Sequence, residues 1–129
     1  MLRLAIGGLL VAHGLVHAAL WLPQAVGVRR SEDAPFDPGH SWLLSGLSDS
    51  GVRTLGCVLA VAAAIALAGA GLGYIAEQAW WPVAAMGGAG TSLALIVLYW
   101  DVWLSVGVLI DVAVVAGAIA ASTAASPDG

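Results

Sequence analysis

Four long apolar runs constrain this chain more than anything else in it. Leu4–Leu22, Thr54–Ala76 and Trp80–Trp100 carry no charge from end to end, and Val102–Ser122 is interrupted only by Asp111. Each run is close to 20 residues, and at about 1.5 Å per helical residue that length matches a hydrocarbon core of ~30 Å. In lipid every backbone polar group must be satisfied within its own segment, so an apolar run of this length is read as a helix. The expected fold is all-α: a polytopic membrane protein built as a four-helix transmembrane bundle, with helices at about 4–22, 53–76, 80–100 and 102–122. The whole chain, 1–129, is then one domain. Composition agrees, because only 9% of residues are charged, where an ordinary globular domain carries about 25%.

The first run follows Arg3, as a cleaved signal peptide would. Its apolar part exceeds the usual core of about 7–15 residues, and it holds two histidines, so a first spanning helix is expected instead.

The connections are unequal. Glu77–Ala79 joins the second and third runs, and the third meets the fourth around Tyr99–Trp103. Links this short force antiparallel neighbours. The first connection, Pro23–Gly51, is long and holds most of the charge. Within it, "SWLLSGL" (Ser41–Leu47) reads as a short interfacial helix anchored by Trp42. Trp21, Trp42, Tyr99, Trp100 and Trp103 fall on the long-loop side, and Tyr74, Trp80 and Trp81 on the other, as two interfacial aromatic belts. Arg29, Arg30 and Arg53 outnumber Arg3, and by arginine count the long loop would face the cytoplasm. Small residues repeat at four-residue spacing in Ala60/Ala64/Ala68, Gly69/Gly73, Gly87/Thr91 and Ala113/Gly117/Ala121, a pattern that lets helices pack closely in lipid.

Polar residues inside such runs are costly, and they are where any chemistry should lie. "HGLVH" puts His13 and His17 four residues apart, on one helix face. His13 lies nine residues before Leu22, and Asp111 nine residues after Val102, so both sit roughly 13 Å below the same surface. Thr91 and Ser92 fall at a similar level. These four residues are expected to form a buried polar layer, with His13 as partner of Asp111. A lone Asp at a helix centre costs about 2.5–3.5 kcal/mol on insertion scales. Nearer the long loop, His17 is expected beside Cys57 and Ser105, with His40, Arg53 and Asp101 gathered at the mouth and Arg53 paired to Asp101.

Several chemistries fit such residues. Two imidazoles on one face plus a carboxylate are a way to hold a metal ion, with His13 and His17 as ligands. "HGLVH" lacks the Glu of the metalloprotease pattern. His13 and His17 share a face and cannot ligate opposite sides of one haem. An intramembrane His–Asp pair also suits a proton relay, or hydrogen bonding to a quinone. Four arginines, no lysine and a net charge of −4 argue against nucleic acid. One cysteine, Cys57, excludes an internal disulfide. No nucleophile–base pair, phosphate loop or soluble domain points to an enzyme. The expected role is a non-enzymatic accessory or scaffold component of a membrane assembly, in contact with lipid and with other subunits or a second copy. No cofactor is expected in that role. The alternative is a quinone- or proton-handling subunit of a membrane redox complex, with metal at the His13/His17 face as the third option.

Arg3, Gly7–Gly8 and "HGLVH" together make the first helix resemble the start of the DoxX-like family of small bacterial four-helix membrane proteins. That family commonly carries a His-Gly followed, three residues later, by a basic residue, often Lys; here that place is His17. The resemblance implies a multi-pass protein of the bacterial inner membrane, its N-terminus in the cytoplasm, with an accessory or quinone-facing role. The arginine count and the resemblance therefore point to opposite orientations.

Overall fold

The computed structural model describes residues 1–25 and 37–124. Arg29 and Arg30, which weighed in the orientation argument, lie outside the described residues. Four helices follow in order: α1 (Leu2–Ala25), α2 (Asp49–Ile75), α3 (Trp81–Leu98) and α4 (Ser105–Ala124), the last preceded by a 3-10 turn at Val102–Leu104. All four are long and apolar enough to cross a membrane, α4 together with its turn. The chain is an integral, multi-pass membrane protein.

Local chemistry moves the helix ends away from those of the apolar runs. Ser48 caps α2, its Oγ accepting the Gly51 N–H at 3.2 Å, and Asp49 sits in the first turn where the helix dipole favours an anion. The helix thus begins a turn earlier than the apolar pattern does. It ends in a Schellman arrangement, with Gln78 N–H donating to Gly73 O and Glu77 N–H to Tyr74 O. Glu77 takes the left-handed position there, at φ 58°, where glycine is usual. Its carboxylate pairs with Arg3 across the helix ends. Pro82 opens α3 in the first turn, where its missing N–H is no loss. Asp101 is extended and accepts the Trp103 N–H at 2.8 Å, starting the 3-10 turn and delaying α4 to Ser105.

The short interfacial helix expected at Ser41–Leu47 is not formed; the segment is a series of turns and bends. Its polar groups serve another element instead. Ser41 Oγ donates to Leu98 O at 2.5 Å and Trp42 Nε1 to Val97 O at 2.8 Å, satisfying carbonyls at the end of α3 that have no helical partner. Trp42 itself remains exposed, as an interfacial anchor requires.

Each helix packs mainly on its neighbour in sequence, α1 on α2, α2 on α3 and α3 on α4. Between α1 and α2 the approach is close enough to require glycine. A Cβ on Gly71 would lie 2.5 Å from Gly7 O, and one on Gly7 2.8 Å from Gly71 O. Of the small residues expected to mediate packing, Ala60 and Ala64 are buried, but Gly69, Gly87 and Gly117 have no neighbour within 4 Å of a built Cβ. The core is richest on the long-loop side, where Trp21 and Tyr99 meet edge-to-face at 6.0 Å among Val52, Ala60, Leu95, Ile96 and Leu104. Both aromatics were expected in an interfacial belt; both are buried, and Tyr99 Oη donates to Val52 O. The residues at that interface with exposed rings are Trp42, Trp100 and Trp103.

Candidate functional site

Three helices bring one polar group each, and α1 a second, to a single point in the bundle. His13 Nε2 lies 2.9 Å from Asp111 Oδ1, and Ser92 Oγ lies 2.5 Å from Asp111 Oδ2. Ser92 Oγ also lies 2.6 Å from His17 Nε2, while His17 Nδ1 lies 2.9 Å from the backbone oxygen of His13. The contacts close a ring, running His13, Asp111, Ser92, His17 and back to His13. All four side chains are buried, with Asp111 and Ser92 wholly so. Since a carbonyl only accepts, His17 Nδ1 carries a hydrogen and donates it. That bond fixes the ring orientation and turns Nε2 toward Ser92. Trp21 lies near-parallel to His17, with centroids 6.4 Å apart.

The ring contains His13, Asp111 and Ser92 at one level, but not Thr91. Thr91 Oγ1 donates to Gly87 O of its own helix at 2.8 Å, because adjacent helical residues face directions about 100° apart. His17 was expected beside Cys57 and Ser105; instead it joins the ring. Cys57 Sγ faces Trp21 O at 3.5 Å, and Ser105 Oγ donates to Val102 O at 2.6 Å. The mouth cluster does not assemble. Among the described residues no ion pair links Arg53 to Asp101: Arg53 is exposed, and Asp101 is occupied by the turn before α4. His40 is exposed as well.

The ring borders an opening. α1 and α4 are the two edges of the helix row and do not pack closely on each other, so a cleft runs between them. On the long-loop side it forms a cavity of about 540 Å³, walled by His13, Val16, His17 and Leu20 of α1 and by Val106 and Ile110 of α4, with Trp103 at the mouth. A second chamber of about 460 Å³ continues along Leu9 and Leu10 of α1 and Ala113 and Gly117 of α4. The small-residue stripe of α4 thus faces this chamber rather than a helix of the chain. The His13–Asp111 contact crosses the cleft between the two chambers and is the polar bridge from α1 to α4.

Chemically, the site combines an apolar cavity with a few convergent polar groups, the usual make-up of a small-ligand site. His13, His17 and Asp111 also each offer a ligand atom within 4.8 Å of the others, a donor set suited to a zinc-like ion. The carbonyl holding His17 Nδ1–H is the kind of outer partner that metal-bound histidines have. In the ring, however, His13 Nε2, both nitrogens of His17 and both oxygens of Asp111 are engaged with one another, with Ser92 and with the His13 carbonyl. Comparison with family models, with curated proteins and with solved structures gave no match.

Proposed function

We propose that the protein is an accessory component of a membrane assembly that holds a lipid-soluble ligand of the quinone class in the α1/α4 cleft. One observation carries this reading: the two membrane-buried histidines stand in the wall of a cavity that opens sideways between the edge helices. A ligand of this kind would arrive through the bilayer, place its ring against Val16, Leu20, Val106 and Ile110, and leave its tail in lipid. The polar ring would meet the head. Pockets of about 300–1,000 Å³ are the usual size for such ligands, and this chamber falls within that range. The likeness of α1 to DoxX-like proteins, and with it a place in the bacterial inner membrane, belongs to the same proposal.

Association with other subunits is supported by α4. Its spanning window is 17% buried, against 33–39% for the other three helices, and its stripe of small residues has no helix of the chain against it. The test is solvent extraction of protein purified in mild detergent, followed by chromatography for quinones, together with binding of a short-chain benzoquinone and its quinol in nanodiscs. Saturable binding of either form, weakened in Ile110→Trp, which fills the cavity, supports the reading. Failure of both forms to bind, with none extracted, overturns it.

A further inference from the structure

We propose that the cleft selects a headgroup that donates a hydrogen bond, an aromatic hydroxyl such as that of a quinol, and that His13 Nδ1 accepts it. This rests on the function proposed above and specifies which form of the ligand the site takes.

The argument is a count of hydrogens around the ring. His17 Nδ1 must carry one, because it faces a carbonyl. Ser92 has a single hydroxyl hydrogen and two neighbours, His17 Nε2 and Asp111 Oδ2. If Ser92 donates to His17, the 2.5 Å contact to Asp111 needs a hydrogen from the other side, so Asp111 is a neutral acid donating through Oδ2. If Ser92 donates to Asp111, the 2.6 Å contact to His17 needs its hydrogen on Nε2, so His17 is an imidazolium beside a carboxylate. The two arrangements differ by a shift of two hydrogens through Ser92 and carry the same total charge. A carboxylate beside a neutral His17 would set lone pair against lone pair.

Both arrangements give the same result for His13. Asp111 Oδ1 is an acceptor in each, so His13 Nε2 is the donor at 2.9 Å. Each arrangement leaves the ring neutral overall, and a further hydrogen on His13 would bury a net positive charge in lipid. His13 is therefore a neutral imidazole protonated on Nε2, with its lone pair on Nδ1. Among the described residues, no hydrogen bond reaches His13 Nδ1, and that atom is not among those sealed from contact. His13 is 8% exposed and lines the cavity. The open valence of the ring is therefore an acceptor, held at a chamber lined mainly by apolar side chains. A hydroxyl completes it. A quinone carbonyl would oppose one acceptor to another and leave both unsatisfied.

The experiment uses full-length protein in nanodiscs of zwitterionic lipid, under anaerobic conditions. Three related probes are titrated by calorimetry: a short-chain benzoquinol, the matching benzoquinone, and the quinol's dimethyl ether, which keeps the ring and oxygens but has no donor. The quinol should bind about tenfold more tightly than either of the others, the factor expected for one buried hydrogen bond. In His13→Phe the three affinities should converge; if that variant does not fold, the wild-type comparison decides alone. Quinone or ether binding as tightly as quinol overturns this inference and leaves the proposed function standing. Failure of all three to bind removes both.

Discussion

Replacing Ser92 by alanine is the sharpest perturbation of the polar ring, since it changes little volume and deletes two contacts. Ser92 Oγ touches His17 Nε2 at 2.6 Å and Asp111 Oδ2 at 2.5 Å, in a residue with no exposed surface. The variant leaves both partners facing a methyl group. In soluble proteins each orphaned buried group costs about 1–3 kcal/mol. Measured hydrogen bonds between membrane helices average about 0.6 kcal/mol and reach about 1.7, because unfolded helices in lipid find other partners. Two such contacts give an expected loss of about 1–3 kcal/mol. Thr91 provides the control one residue away: its hydroxyl bonds within α3, and Thr91→Ala should stay within ~0.5 kcal/mol of wild type. The assay is reversible unfolding in mixed micelles of rising SDS fraction, followed by circular dichroism and tryptophan emission. A cycle with Asp111→Ala should show coupling of roughly 0.5–3 kcal/mol, the range for residues in one network. A Ser92→Ala variant as stable as wild type, or a Thr91→Ala variant equally damaged, would refute a ring that holds α1, α3 and α4 together.

Other outcomes follow from the helix contacts and ends. Gly71→Ala should lose about 1–3 kcal/mol in the same assay, because its Cβ meets the Gly7 carbonyl rather than a movable side chain. Gly69→Ala, with open space around it, should instead gain about 0.5–1 kcal/mol from helix propensity; equal losses at both would undo the close-approach argument. Glu77→Gly relieves a left-handed residue, worth about 1–2 kcal/mol, and removes an exposed ion pair worth about 0–1. It should raise the SDS midpoint or leave it unchanged; a drop would mean that the Arg3 contact dominates. Arg53→Ala and Asp101→Ala should be additive within ~0.5 kcal/mol in a double-mutant cycle, since the two side chains do not meet.

The four helices were legible because lipid enforces one solution on an uncharged run of 20 residues. The level shared by His13 and Asp111 was legible too, since helical rise converts residue number to depth. Three kinds of information were not. Side-chain tilt moved His17: helical side chains lean toward their own N-terminus, so His17 on α1 and Asp111 on the antiparallel α4 lean toward each other. A plain residue count had set them a turn apart. Capping moved the helix ends, as at Ser48 and Asp101, where short polar side chains take backbone hydrogens that hydropathy does not register. Burial of aromatics was invisible as well. Trp21 and Tyr99 occupy interfacial positions in the chain, yet the long-loop side closes over them, and only the packing partners reveal that.

The seam between α1 and α4 bears on how the chain is made. Every extensive helix contact joins consecutive segments, so each helix leaving the translocon finds its main partner already in the bilayer. The last to arrive, α4, carries Asp111 deep within its span, and His13, its partner, entered the membrane 98 residues earlier. Until the two meet, Ser92 of α3 is the partner Asp111 has within its own neighbourhood, and its second oxygen is unsatisfied at a cost in lipid. When they meet, the register of α4 against α1 is set by a directional contact where shape complementarity is weakest. The pair thus acts as a latch on the finished topology.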